Sequence, residues 1–264
     1  MRAFRVAYDG TSYRGFQRQP HKQTVSDRIL RALDNHGVDA SEYTAAGRTD
    51  AGVSALAQTV AVEAPDWLTP RALNGELPDD VFAWAHADAP EGFHATHDAA
   101  ARTYVYHLHA PAADTEMVRG ALDRLAGEHD FHNFTPDDSN TVRTVATALE
   151  RRGDTFRLRF TAGGFARQLV RRAAELVRRV GVGEASPELV ERALAPETLA
   201  GPRGFAPAPP GPLVLADVSY PDLSFTPDER AVRDAREVFA AARDERVGAG
   251  QALGTIEAGV DERS

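Results

Sequence analysis

Residues 3–37, AFRVAYDGTSYRGFQRQPHKQTVSDRILRALDNHG, carry the pattern that decides the fold of this chain. The first six residues, AFRVAY, alternate with a period of two, which predicts a strand. The segment that starts at Thr24 predicts a helix, because Thr24 can cap it, Asp27 follows three residues later and a glycine ends it. The chain therefore opens with a strand joined to a helix by a turn-rich connection.

The same alternation of strands and helices continues along the chain and then repeats. In the first part we expect strands at 42–46, 56–63 and 81–87 and a short helix from Thr69. In the second part we expect strands at 102–110, 142–150, 155–162 and 213–220, and helices at 114–126, at 165–180 and from Ser186. This order predicts the α+β class, with two ferredoxin-like or RRM-like βαββαβ halves, a central, mainly antiparallel sheet and a cleft between the halves.

Three segments follow from this repeat, at residues 1–98, 99–222 and 223–264, the last being a C-terminal helix and tail. The proline-rich stretch 201–212 is predicted to cross the surface without helix or strand. A capping box formed by Thr226 and Glu229 predicts the start of the last helix. From residue 249 onward we expect a frayed tail.

Composition indicates an ordinary globular protein, with 42% hydrophobic and 26% charged residues over 264 positions. The absence of cysteine excludes disulfides and thiolate metal sites and fits a reducing compartment. We find no signal peptide and no membrane span, so we expect a cytoplasmic protein without membrane contacts. Of 30 basic residues, all but Lys22 are arginine; with a net charge of −9, this bias indicates either a halophilic, high-salt cytoplasm or a GC-rich genome.

Charge is segregated along the chain, which weakens the usual argument that an acidic protein avoids nucleic acid. Residues 143–179 hold ten arginines and three acidic residues, whereas residues 63–98 hold eight acidic residues and one arginine. If the arginines of the first segment share a surface, we expect them to contact phosphates; otherwise they form ordinary solvated faces.

Two weaker patterns resemble a phosphohydrolase motif and a zinc site, but each lacks residues that the chemistry requires. Asp9 ends the first strand in a way that suits an aspartyl phosphohydrolase, but Thr11 stands where that chemistry needs a second aspartate, so an Asp-Gly turn is favoured. The histidines in FHATHD (93–98) and EHDFH (128–132) lack the usual ligand set of a zinc site. We predict no metal.

The loop GRTDAG (47–52) is the strongest candidate for chemistry, because it places Arg48 and Asp50 between two glycines. The glycines let the backbone turn sharply and let a ligand approach closely. A neighbouring guanidinium favours a charged carboxylate that can act as a nucleophile or base. On these six residues alone, a structural Asx turn is the better-supported interpretation.

The longer stretch GRTDAGVSALAQ resembles the signature of the TruA-type tRNA pseudouridine synthases. Six other stretches resemble motifs of that family and occur in the family's order: YDGTSYRGFQRQP (8–20), ALNGELPDDV (72–81), ARTYVYHL (101–108), GEHDFHNF (127–134), GGFARQLVRR (163–172) and LVLADVSYPD (213–222). The resemblance covers about residues 3–222. It implies the pseudouridine synthase fold and a homodimeric isomerase that converts uridine to pseudouridine at positions 38, 39 and/or 40 of the tRNA anticodon stem-loop, without a metal or cofactor.

The resemblance also implies roles for four residues. Asp50 matches the catalytic aspartate, which attacks C1′, attacks C6 of the uracil or abstracts a ribose proton; the sequence leaves all three open. Arg48 matches the arginine that helps to flip the base out of its stack, and Arg171 matches the arginine that pairs with the catalytic carboxylate. Tyr104 matches the substrate-binding tyrosine that stacks on the flipped base, whereas Tyr106 is better explained as a strand aromatic.

The chain departs from the family pattern at two positions. Ser54 stands where the family commonly has histidine, and Thr96 replaces the arginine of FHAR, so contacts to tRNA could differ. The alternative function is a non-catalytic RNA-binding protein of two RRM-like halves, whose strand aromatics would stack on bases. An acidic residue at the centre of the most specific motif disfavours it, because a carboxylate repels phosphate.

Overall fold

The structure is a computed structural model that describes residues 1–20, 23–199 and 205–261. Its strands are β1 Arg2–Tyr8, β2 Thr44–Ala45, β3 Ser54–Val62, β4 Val81–Asp88, β5 Ala101–His109, β6 Gly127–Asp130, β7 Val142–Arg152, β8 Thr155–Ala162, β9 Leu213–Ser219 and β10 Thr226–Pro227. Its helices are α1 Val25–Asn35, α2 Pro70–Asn74, α3 Thr115–Arg124, α4 Leu169–Gly181, α5 Glu188–Leu194 and α6 Glu229–Asp261.

One continuous sheet contains both halves of the molecule. Its order is β10-β4-β1-β3-β9-β5-β8-β7-β6, with β2 also paired to β3. The first half has the order β4-β1-β3-β2 and the second half has the equivalent order β9-β5-β8-β7. Among the described strands, only β3 and β9 pair in parallel, through Ser54↔Val214 and Ala55↔Leu215, and this pairing joins the halves. The predicted α+β class, with its mainly antiparallel sheet, is confirmed.

Two hydrophobic cores lie against the sheet, one for each half. In the first half, α1 starts with the predicted capping box: Asp27 N donates to Thr24 Oγ1 at 3.2 Å, and Thr24 N donates to the Asp27 carboxylate at 3.3 Å. The apolar stripe that follows, which contains Ile29 and Leu33, is buried in the first core. In the second half, α4 buries a stripe that includes Leu176 in the other core.

Two boundaries in the second half differ from the sequence-based prediction. Helix α4 begins at Leu169 rather than at residue 165, because Gln168 adopts a left-handed conformation (φ 62°) that a helix cannot contain. The unpredicted strand β6 pairs with β7 shortly after α3, so Gly127, the first residue after the helix predicted at 114–126, starts a strand. Both differences lie in segments that connect regular elements.

The C-terminal segment also differs from the prediction. Thr226 is not a helix cap, because it forms strand β10 with the following proline and pairs with His86 of β4. Asp228 caps α6 instead, and its carboxylate accepts a hydrogen bond from Ala231 N at 2.9 Å. The predicted frayed tail is helical as far as Asp261, and residues 262–264 lie outside the described residues. Among the described helices, none combines the length and hydrophobicity of a transmembrane segment.

Candidate active site

The loop that carries Asp50 connects β2 to β3 and is held by backbone contacts with the first half. Phe16 N donates to Thr49 O at 3.1 Å, and Gly52 N donates to Tyr13 O at 3.2 Å. The buried Tyr8 hydroxyl lies 2.8 Å from Thr49 Oγ1, so a hydrogen bond also holds the side chain of the residue before Asp50. Because partners on both sides hold the loop, the position of the Asp50 carboxylate is defined by the fold.

The two glycines of the loop serve different purposes. Gly52 has a φ of +80°, and a Cβ there would lie 2.8 Å from Pro210 Cγ, so both its conformation and its surroundings require glycine. Gly47 has an ordinary φ, and a Cβ built there would meet nothing within 4 Å. The open space beside Gly47 is consistent with the close approach of a ligand that the sequence suggested.

Asp50 is paired with Arg171, a residue 121 positions away on the first turn of α4. Arg171 Nη1 donates to Asp50 Oδ2 at 3.1 Å, and the two side chains are 13% and 28% exposed, respectively. Arg171 Nε donates to Ala208 O at 2.7 Å, which fixes the plane of the guanidinium. The structure therefore brings together one charged residue from each half at the junction between them.

The segment before β9 forms the wall behind this ion pair. Residues 205–212 form no helix or strand, as predicted, but Phe205 and Ala208 are buried rather than crossing the surface. Ala208 N donates to Arg171 O, and Arg172 donates to Phe205 O at 2.8 Å. The prediction of a surface position is therefore wrong for these residues, while residues 201–204 lie outside the described part of the chain.

Tyr104 lies on β5 and lines the same cleft as Asp50. Its ring makes an edge-to-face contact with Phe165, with the ring centroids 5.3 Å apart. Burial raises the pKa of the Tyr104 hydroxyl, and the negative charge of Asp50 raises it further, so the phenol is protonated at neutral pH. Tyr106, two residues further along the strand, is only 3% exposed and belongs to the second core.

Arg48 lies in the cleft but does not touch Asp50. Its side chain is exposed and makes no hydrogen bond or ion pair with the described residues. The guanidinium beside the carboxylate is that of Arg171, so the short spacing between Arg48 and Asp50 does not reflect a contact. Arg48 is therefore free to reach a ligand.

The cleft has a volume of about 1630 Å³, larger than the usual range for small-molecule pockets. Its described lining contains six arginines (Arg18, Arg28, Arg31, Arg48, Arg167 and Arg171) and four aspartates (Asp27, Asp34, Asp50 and Asp137). The cleft is thus net positive in a chain of net charge −9. Arg28, Arg31 and Arg48 have no carboxylate within ion-pair distance in the described residues, so their charges are available to an anionic ligand.

The arginine-rich segment 143–179 does not form one surface. Of its ten arginines, only Arg167 and Arg171 line the cleft. Arg157 and Arg159 lie on the opposite face of β8 from the residues that pack against Tyr104, and Arg178 is neutralised by Glu175 and Glu184. The interpretation as ordinary solvated faces therefore applies to most of this segment, and the unpaired cleft arginines lie mainly on α1.

Several other candidate residues have structural partners. The Asp9 carboxylate accepts hydrogen bonds from Thr11 and pairs with Arg246 of α6, which anchors the C-terminal helix. Ser54 Oγ accepts a hydrogen bond from Gly10 N at 3.0 Å, and Thr96 Oγ1 donates to Ala45 O. Within the described ranges, no group of three or more acidic or histidine side chains could hold a metal ion.

Comparison with known proteins is consistent with this geometry. A family described as "tRNA pseudouridine synthase" matches residues 121–221. A "tRNA pseudouridine synthase A" of Natronomonas pharaonis is 55% identical over 97% of this chain and 98% of its own length. The equivalents of Haloarcula marismortui (55% identical, 92% and 94% covered) and Pyrococcus abyssi (34% identical, 94% and 95% covered) are similar over nearly all of both chains.

These matches define the class first: the chain is a pseudouridine synthase, an isomerase. Within that class, the chain belongs to the tRNA pseudouridine synthase A family. A solved structure titled "Crystal Structure of a Cbf5-Nop10-Gar1 Complex" covers 67% of this chain and 45% of its own, with 14% identity and a TM-score of 0.37. A likeness of that size adds nothing to the assignment.

Sequence reasoning missed some residues that shape the site. Phe165 supports Tyr104, Ala208 O orients Arg171, and Arg31 lines the cleft from α1. For Arg31, the spacing of Arg28 and Arg31 on one helix was an available signal. For Ala208 the sequence contains no such signal, because its main-chain carbonyl acts through its position and any residue type would supply it.

Proposed function

We propose that this enzyme isomerises uridine to pseudouridine at positions 38, 39 and/or 40 of the tRNA anticodon stem-loop, with Asp50 as the catalytic carboxylate. The observation that carries the proposal is the ion pair between Asp50 and Arg171, placed in a net-positive cleft where the halves join. The ion pair at 3.1 Å joins the Arg171 guanidinium to the negatively charged form of the Asp50 carboxylate. That form is required whether Asp50 acts as a nucleophile or as a base.

The reaction is an isomerisation and its atoms balance without a cofactor. The bond between uracil N1 and ribose C1′ breaks, and a bond between C5 and C1′ forms. The proton on C5 leaves, and a proton is taken up at N1. Asp50 attacks C1′, attacks C6 or removes a ribose proton, and each route starts from the charged carboxylate.

Tyr104 and Arg48 are proposed to hold the target base. A uridine within the anticodon stem-loop must leave its stack to reach Asp50, which costs a few kcal/mol. The Tyr104 ring is supported by Phe165 and faces the cleft, so it offers a fixed surface for stacking. Arg48 is exposed and has no carboxylate partner in the described residues, so it can enter the space that the base vacates or contact its phosphate.

The backbone of the RNA is proposed to lie along α1. Arg28 and Arg31 line the cleft, are spaced one helical turn apart and have no carboxylate within ion-pair distance in the described ranges. A long cleft with unpaired arginines fits an extended polyanion better than a free nucleoside. This position for the phosphates replaces the expectation that a surface formed by the arginines of residues 143–179 contacts them.

The test is to map pseudouridine in a tRNA transcript after reaction with the purified enzyme and with Asp50→Asn. The unaltered chain should convert uridine at positions 38–40, and Asp50→Asn should form no product while it remains folded and keeps its tRNA affinity nearly unchanged. Asp34→Asn is the matched control, because Asp34 lines the same cleft and is exposed. Product formation by Asp50→Asn would refute the catalytic role, and conversion only at other positions would refute the target.

The resemblance to the family further supports the proposals that two copies form a homodimer and that the enzyme acts in the cytoplasm. A homodimer predicts twice the chain mass, 57 kDa from 28.5 kDa per chain, in sedimentation at micromolar concentration. A monomer mass under these conditions would contradict it.

A further inference from the structure

Arg102 occupies a position that the catalytic proposal does not use. It lies on β5, two residues before Tyr104, and its guanidinium donates five hydrogen bonds to main-chain carbonyls. Nε and Nη2 both donate to Ala46 O, at 3.3 and 2.8 Å. Nη1 donates to Gly163 O at 2.5 Å and to Ala99 O at 3.2 Å, and Nη2 also donates to Thr96 O at 2.5 Å. All five N–H groups of the guanidinium are therefore used.

The carbonyls that Arg102 binds belong to three segments around the cleft. Ala46 directly precedes the loop that carries Asp50. Gly163 directly precedes the segment that carries Phe165 and leads into α4, where Arg171 lies. The third segment, which includes Thr96 and Ala99, joins the two halves, and Thr96 lines the cleft.

The guanidinium of Arg102 contacts main-chain carbonyls and makes no ion pair with the described residues. No carboxylate in the described residues lies within ion-pair distance of its guanidinium, and burial lowers the pKa of Arg102. Partly burying an arginine without a carboxylate carries a cost, which the hydrogen bonds to main-chain carbonyls offset here. This arrangement requires several N–H donors held in one plane, which a guanidinium provides and the ammonium group of lysine does not.

We propose that Arg102 is a positioning residue, which sets the separation of Asp50, Arg171 and Tyr104 by tying the loops of both halves to one guanidinium. This inference rests on the proposed role of Asp50. Arg102 does not contact the reacting atoms, so it acts on the rate only through the alignment of residues that do. A misplacement of about 1 Å in such a site lowers the rate about 100-fold.

Arg5 provides a matched control. Arg5 is buried and, like the half-buried Arg102, donates to main-chain carbonyls, those of Ala57 at 3.2 Å and Val218 at 2.6 Å. Unlike Arg102, it also pairs with a carboxylate, that of Asp217 at 3.7 Å. Arg5 does not line the cleft. Arg5→Lys therefore reports what the loss of a buried guanidinium does to the fold alone.

The experiment measures the single-turnover rate constant, the Kd for tRNA and the melting temperature of the unaltered chain, Arg102→Lys and Arg5→Lys. We expect Arg102→Lys to lower the rate constant about 100-fold while the Kd changes less than about threefold, because a shifted carboxylate loses its alignment but the cleft arginines remain. Arg5→Lys should keep the rate constant within about threefold, even if its melting temperature falls as far as that of Arg102→Lys.

Two results would overturn the proposal: a rate constant for Arg102→Lys within threefold of the unaltered chain, or equal losses of rate and of tRNA affinity. If Arg102→Lys does not fold, Arg102→Gln, which keeps a planar group with two donors, is judged by the same criteria. Asp50→Asn is run alongside, because activity in that variant would refute the role of Asp50 whatever Arg102 does.

Discussion

Replacing Arg171 tests how strongly the two halves of the molecule are coupled at the site. Its Nη1 donates to Asp50 at 3.1 Å and its Nε donates to Ala208 O at 2.7 Å. An exposed ion pair contributes about 0.2–1 kcal/mol, and breaking a fully buried one costs about 3–5 kcal/mol. Because the side chains of Arg171 and Asp50 are 13% and 28% exposed, we expect a coupling free energy between these limits, about 1.5–2.5 kcal/mol.

The coupling is measured with a double-mutant cycle on the free energy of unfolding in urea. The variants are Arg171→Met, Asp50→Asn and their combination; the bond to Ala208 is lost in both variants that carry Met, so it cancels. Arg172→Met is the control, because Arg172 donates to Phe205 O and Gln168 and not to Asp50. A coupling for Arg171 below about 0.3 kcal/mol, or one no larger than that for Arg172, would show that the pair does not form in solution.

Three further outcomes follow from the site and the charge distribution. If Tyr104 stacks on the base, Tyr104→Ala should weaken tRNA binding by about 1–3 kcal/mol in a filter-binding titration, whereas Tyr104→Phe keeps the ring and should lose much less; equal losses would argue against stacking. Arg31→Glu should weaken tRNA binding and reduce the slope of log K against log salt by at least about one. The control Arg159→Glu changes an arginine that is exposed on the opposite face of the sheet, so it should leave the slope unchanged. Similar slopes for the two variants would place the RNA elsewhere. Because the chain has a net charge of −9 and its acidic residues cluster at 63–98, raising KCl from about 0.1 to about 2 M should raise the melting temperature by screening repulsion, and a flat or falling curve would contradict this.

The sequence predicted regular elements well where local chemistry determines them. The capping box of Thr24 and Asp27 is present as expected, and alternation correctly located β1, β5 and β8. The repeated element order also predicted both halves of the sheet. Such features depend on neighbours within a few residues, so a single sequence contains the information.

The rest could not be predicted because it depends on contacts between distant residues. Helix α4 was expected to begin at residue 165, but Phe165 packs against Tyr104 and Gln168 turns left-handed before the helix starts. The burial of Phe205 and Ala208 depends on the main-chain and side-chain groups of Arg171 and Arg172. For the site itself, motifs named Asp50 and Arg171 as candidates, but their 3.1 Å separation and the exposed position of Arg48 required coordinates.

The parallel pairing of β3 with β9 has a consequence for synthesis of the chain. Strand β9, Leu213–Ser219, is the last strand of the second half, and it inserts between β3 and β5, which are made much earlier. The first half can therefore emerge from the ribosome with its loop in place, yet the continuous sheet and the wall at Ala208 must wait until about residue 220 is available. Pairings of such long sequence separation form slowly, so a nascent or truncated chain should lack a working site, and RNA modification begins only after nearly the whole enzyme exists.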